Sequence, residues 1–315
     1  MVDTIACAAG IDISKDRLDV HLLPEGIERR FSNDAEGLRA LMRFVAPHAP
    51  GRIIYEATGA YHRLLERMLG AKGLPLVKMN AQHTRAFARA AGRLSKTDRI
   101  DAAMLARFGA LMAPELRPLR SKTLTALSEL VAARRALVKE RTATLNRQKN
   151  LTIALLKRQA GQQLRQIAAW IEAIDAECRR LIAAAPELQR RLDIFLSIPG
   201  LGPATAFTLI ADMPELGALS NKQAASLAGL APVDRQSGQW KGKSFIQGGR
   251  SRLRQALYMP ALVAIRFNPP LKAKYDQLIA AGKPPKKAIT AIMRKLVVLA
   301  NALVRDARNW AHMPA

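Results

Sequence analysis

The chain has 315 residues, and its 50 Lys and Arg against 25 Asp and Glu give a formal net charge of +25. A field of that size selects a polyanionic partner, while 49% hydrophobic residues supply a real core, so the chain is globular and not a basic tail. The longest early apolar stretch, Thr4 to Ile11, is too short for a membrane span, follows no basic segment and runs straight into Asp12, so no signal peptide, anchor or membrane partner is expected.

Residues 5 to 12 (IACAAGID) form a short apolar run ending in a carboxylate. LDVHLL at 18 to 23 is a second such run and Arg29 to Ser32 a third, which predicts three short strands joined by turns. An amphipathic segment follows from Asp34 to Val45, then the strand-like RIIYE ending at Glu56. Gly59 to Leu69 has helical spacing, PLVKMN at 75 to 80 is a fifth strand, and a helical stretch runs from about Ala81 to Met112. The order βββαβαβα predicts an α/β domain with a mixed sheet over residues 1–115.

From Leu119 to Ala160 there is neither Pro nor Gly, and Leu124, Val131, Val138 and Leu145 recur every seven residues. That predicts one long helix, on the order of 60 Å. After Gly161 a second apolar stripe from Leu164 to Ile182 ends before Pro186, so residues 116–190 are expected to form an antiparallel helical hairpin or coiled coil. It is either an ordinary hairpin without a partner or, given Arg134, Arg135, Lys139, Arg141, Arg147 and Lys149, a surface for nucleic acid or a second subunit. From 191 to 315 the pattern is mostly helical with short loops. The turn Pro199-Gly200-Leu201-Gly202-Pro203 suggests a helix-hairpin-helix, in which Gly200 and Gly202 let backbone N–H groups approach a phosphate; any tight interhelical turn can use the same residues.

Charge separates these regions. Residues 1 to 60 hold seven Lys and Arg against nine Asp and Glu, whereas 231 to 315 hold sixteen against three. Carboxylates gathered in the first region need a metal; the last region offers cations for phosphates. Asp12 ends the first strand and Glu56 the fourth, while Asp98 and Asp101 in KTDRIDA share one helix face. Two-metal phosphoryl transfer needs such a convergence. Singly, Asp12 also suits a turn, Glu56 a helix start, and Asp98 with Asp101 a solvated face paired with Arg93 or Arg99. Together, in this element order, they match a ribonuclease-H-like arrangement.

GIDISKDRLDV, IIYEATGAY, KTDRIDAAMLA, SIPGLGPATA, GLAPVDRQSG and LRQALYMPALVAIRFNPPL resemble the transposases of insertion-sequence family one-hundred-and-ten across essentially the whole chain. The resemblance implies an N-terminal RuvC-like DEDD domain and a C-terminal transposase domain with an essential serine. It implies a recombinase guided by a structured bridge RNA, acting on target and donor DNA, as dimers that assemble into a tetramer. Asp12, Glu56, Asp98 and Asp101 then become the DEDD residues, with Mg2+ as cofactor, and Ser237 the serine that joins covalently to DNA. One departure is Ala81 after Asn80, where Pro is expected; it is taken to touch a loop and spares all five chemical positions.

Composition does not choose among Ser237, Ser244 and Ser251; the resemblance selects Ser237. Arg235, Lys241, Lys243, Arg250, Arg252 and Arg254 are the cations expected to spread transition-state charge and bind nucleic acid. A serine and carboxylates in different domains require closure within one protomer or a composite site between protomers. The composite site is favoured, because recombination must hold two duplexes.

The five histidines show no metal-ligand spacing and are expected to be surface or packing residues. Trp240 suits base stacking or core anchoring equally. Cys7 and Cys178 form no C-x-x-C or zinc spacing, which fits free thiols in a reducing cytoplasm; the expected location of such a recombinase is the bacterial cytoplasm, at the nucleoid. The expected function is RNA-guided strand cutting and rejoining through a phosphoserine, with base pairing carrying sequence choice. The alternatives are a metal-dependent junction-resolving nuclease using water and a non-catalytic nucleic-acid-binding protein.

Overall fold

Period-two alternation in the first thirty residues builds one sheet. The computed structural model describes residues 7–57, 59–92, 98–116, 118–234, 236–238, 240–242 and 244–311. The chain divides into two compact units, Met1–Arg120 and Ser121–Ala315.

The first unit contains β1 (Ala8–Ile13), β2 (Arg17–Leu23), β3 (Ile27–Ser32), α1 (Ala35–Val45), β4 (Arg52–Glu56), α2 (Arg63–Gly70), β5 (Leu76–Met79), α3 (Ala81–Ala90) and α4 (Asp98–Met112). The sheet order is β3-β2-β1-β4-β5. The first three strands are antiparallel neighbours, and β1, β4 and β5 run parallel. This is the mixed α/β domain that the sequence predicts. Ala81, expected in a loop, is the first residue of α3, and the Asn80 side chain caps that helix by accepting from the Gln82 N–H at 2.9 Å. The first helical position is one that also suits proline.

Alternation sorts the two faces of the sheet. Ile11, Ile13, Leu18, Val20, Ile53 and Tyr55 point to one side, where Leu38, Leu41 and Val45 of α1 and Leu65 and Leu69 of α2 cover them. Ile54 and Val77 point to the other side and meet Leu105 of α4. The contact of α4 with the sheet is unusually close at Gly10. A Cβ there would lie 2.0 Å from the Ala102 carbonyl oxygen and 2.4 Å from the Ala106 nitrogen.

In the second unit, α5 (Lys122–Gln148) and α6 (Ala154–Ala183) pack against each other. Arg134 bonds Asp175 at 2.6 Å, and Gln163 donates to Glu140 at 3.0 Å, so the helices run antiparallel. The predicted single helix from Leu119 to Ala160 is therefore corrected: the break lies at 149–153, and Gly161 sits inside α6 beside open space. A chain turns without Gly or Pro when polar residues such as Asn150 leave the helix to solvent. The base of the hairpin, through Leu127, Val131, Cys178 and Ile182, shares one core with the helices that follow.

Those helices are α7 (Pro186–Ser197), α8 (Pro203–Asp212), α9 (Asn221–Leu227), α10 (Ser251–Phe267), α11 (Pro269–Ala280) and α12 (Pro285–Arg305). Between α9 and α10, β6 (Pro232–Val233) pairs with β9 (Phe245–Ile246), and β7 (Gln236–Ser237) pairs with β8 (Trp240–Lys241). These strands replace the loops expected there; two residues are too few to impose a readable alternation. No helix among the described residues is long and apolar enough to cross a membrane.

Candidate active site

Ile11 and Ile13 face α1, so Gly10 and Asp12 stand on the opposite face of the sheet with α4. Ile53 and Tyr55 likewise leave Ile54 and Glu56 on the α4 side. The parallel ladder pairs Gly10 with Ile54 and Ile11 with Tyr55, so Asp12 and Glu56 are one step further along the same two strands. Ala102 and Ala106 lie over Gly10, whereas Gly109 lies over Ala8 and Ile54. Helix α4 therefore runs opposite to β1. Its first turn, with Asp98 and Asp101, arrives at the end of the strand that carries Asp12.

Electrostatics reports the same convergence. The Asp12 carboxyl is pushed up to about 6, first by burial and then by the negative charges of Asp101, Asp98, Glu56 and Asp19. Glu56 accepts a hydrogen bond from the hydroxyl of Thr84, a buried residue of α3. Among the described residues, no three His, Cys, Asp or Glu side chains already form an ion cage. The donors nevertheless suit a hard divalent cation: all are carboxylate oxygens, and a cation would relieve the repulsion that raises Asp12.

Sequence reasoning missed Asp19. It is buried and lies directly opposite Asp12 in the β1–β2 ladder. Leu18 and Val20 alternate with it, which was the available signal.

In the second unit, Ser237 is exposed on β7, next to Gly238 at φ +56°, in the left-handed region that favours glycine. Ser244 donates to Asp234 at 2.5 Å, and Ser251 begins α10. Arg235 and Lys243 lie outside the described residues, and Lys241 stands in β8. Gly200 and Gly202 do occupy the turn between α7 and α8. At Gly200, with φ +105°, a Cβ would lie 2.8 Å from the Pro260 carbonyl, so this glycine serves packing on α10; Gly202 faces open space.

Two of the basic residues are held by the protein. Arg250 donates through Nη1 to the Asp212 carbonyl at 2.6 Å and to Glu215 at 2.7 Å, and through Nη2 to Glu215 at 2.5 Å. Arg254 donates to the carbonyls of Gly229 at 3.1 Å and Gly248 at 3.2 Å, at the base of the segment bearing Ser237. Arg252 is exposed. Arg250→Ala is therefore expected to cost about 1–3 kcal/mol, lowering the melting temperature by several degrees. Arg252→Ala should leave melting unchanged and make nucleic-acid affinity less dependent on salt. Thermal unfolding and a salt titration check both.

Comparison with known proteins places the chain among enzymes of DNA transposition and recombination. A family profile described as "Transposase" matches residues 9–159, and one described as "Transposase IS116/IS110/IS902 family" matches 192–276. The chain belongs to the IS110 family of transposases. It is 32% identical over 315 residues to the pilin gene-inverting protein of Moraxella bovis, and 33% identical to that of Moraxella lacunata, with 96% of both chains covered in each case. An uncharacterized 42 kDa protein of insertion element IS900 from Mycobacterium paratuberculosis is 34% identical over 161 residues, covering 46% of this chain and 39% of that one.

Proposed function

We propose that the protein is an RNA-guided DNA recombinase that cuts and rejoins strands through a phosphoserine at Ser237, with Mg2+ held by Asp12, Glu56, Asp98 and Asp101. The observation that carries this reading is the convergence of carboxylates from β1, β4 and α4 on Asp12, whose carboxyl is raised to about 6 by burial first and by these neighbouring charges next, in a chain of net charge +25. A bound divalent cation would supply Lewis-acid stabilisation of charge on the phosphate oxygens.

The residues supply the remaining chemistry. The Ser237 Oγ bonds to phosphorus as the P–O bond to the departing strand breaks; the serine loses its proton and the departing oxygen gains one. Rejoining reverses these transfers, so no external energy source is needed. The relatives named for inverting pilin genes support this reading, because inversion requires that every cut strand be rejoined. RNA guidance is supported by high positive charge without a base-reading motif, together with the family resemblance. The need to hold two duplexes favours an oligomer, and the family resemblance implies dimers that assemble into a tetramer.

The test is linkage between pH, metal and stability. A carboxyl raised from 3.8 to about 6 binds its proton more tightly in the folded state, so metal-free stability should fall as pH rises from about 4 through 6. Mn2+ or Mg2+ should restore it, with a larger thermal shift at pH 7.5 than at pH 5. Asp12→Asn should remove both the pH slope and the metal response. A wild-type response in that variant would overturn the metal assignment.

A further inference from the structure

Beside the carboxylates, the first unit holds a cavity of about 250 Å³ between β2, β3 and the start of α4. Its walls carry the charges of Arg30 and Arg99 against two carboxylates, Asp19 and Glu28, whereas the Arg29 guanidinium lies over the Phe31 and Phe44 rings on the α1 side of the sheet. Arg30 is fixed by a buried carboxylate. Its Nε and Nη2 both lie 2.9 Å from Oδ1 of Asp19, which is only 6% exposed, while the Arg30 side chain is 46% exposed. This pair commits one edge of a planar guanidinium, and among the described residues Nη1 meets no protein acceptor.

The location gives the cavity a direction. Asp19 is the ladder partner of Asp12, and Arg99 follows Asp98 on α4. Ala102, which lines the cavity, also covers Gly10. Moving one strand over from Asp12, or one residue on from Asp98, thus leads from a carboxylate cluster to a wall that presents the guanidinium groups of Arg30 and Arg99. A strand whose scissile phosphate lies at the carboxylates must place neighbouring phosphates within reach of such a wall.

We propose that this cavity binds a phosphodiester of the strand being processed, with Arg30 and Arg99 as its clamp and Asp19 as the positioning residue that aims Arg30. The proposal rests on the carboxylates being the phosphoryl-transfer centre, and its test separates the two. Arginine suits the task because its fork matches phosphate oxygens in two bonds, and a guanidinium already held by a buried carboxylate loses little further freedom on binding.

The experiment measures full-length protein binding to a short single-stranded DNA of about five nucleotides, in Mg2+, across a range of salt. Arg30→Gln and Arg99→Gln should each weaken binding about ten-fold. Each should also make the slope of log affinity on log salt shallower by about 0.7. Arg30→Lys should keep the slope and lose part of the affinity. Asp19→Asn is the decisive variant. Charge alone predicts that removing a carboxylate tightens DNA binding, whereas a positioning role predicts that it weakens binding. Unchanged affinity and slope in both arginine variants, or tighter binding by Asp19→Asn, would overturn the clamp. Should Arg30→Gln fail to fold, Arg99→Gln and Arg30→Lys decide it. A parallel Mn2+ titration should stay like wild type in the arginine variants and be lost in Asp12→Asn; an unchanged Asp12→Asn titration would count against the carboxylate centre instead.

Discussion

Ser237→Ala is expected to eliminate the protein–DNA adduct that survives denaturation when a nicked or stalled substrate is used. Adduct yield should fall at least about a thousand-fold, since losing a nucleophile removes the covalent route. The substitution removes one exposed oxygen from a two-residue strand, so folding and RNA binding should survive. Ser244→Ala and Ser251→Ala are the controls. Ser244 already donates to Asp234, and Ser251 opens α10 beside the anchored Arg250, so both variants should keep the adduct. Denaturing electrophoresis with labelled DNA reads the result. Normal cleavage with free ends released by Ser237→Ala would make water the attacking group, and the chain a junction-resolving nuclease.

Asp101→Asn is expected to abolish strand exchange in Mg2+ while leaving RNA binding within a few-fold. Size is kept and one charge is lost. Burial is the largest cause of the raised Asp12 carboxyl and Asp101 the first of the neighbouring charges, so removing Asp101 should lower the Asp12 carboxyl part of the way toward its ordinary range. Two readouts then move together: strand exchange disappears, and the fall in metal-free stability shifts toward pH 4. Full exchange activity in Mg2+ would refute the assignment of Asp101.

The sheet of the first unit was legible because burial on the α1 side writes alternation into GIDI and LDVHLL, while RIIY, buried on both faces, reads as a short apolar run. The approach of Asp98 and Asp101 to the strand ends of Asp12 and Glu56 was not legible from spacing, since it depends on α4 crossing β1 in the opposite direction. A signal existed in Gly10 together with Ala102, Ala106 and Gly109, small residues that allow backbones to approach. Asp19 escaped notice because a lone carboxylate in a strand gains meaning only once its ladder partner is known. The break at 149–153 and the small ladders around Ser237 left no periodic trace. Arg250 and Arg254 looked like phosphate ligands because charge in a sequence does not reveal whether a carboxylate or carbonyl elsewhere has claimed it.

The missing side chain at Gly10 governs how the repulsion at Asp12 is borne. With the backbone of α4 seated on β1, the main chain bearing Asp98 and Asp101 cannot back away from the strand end that carries Asp12. Relief of the repulsion then falls to side-chain rotation and to the proton that the buried Asp12 carboxyl holds more tightly. On the proposed metal reading, a backbone fixed in this way would need little rearrangement to receive cations.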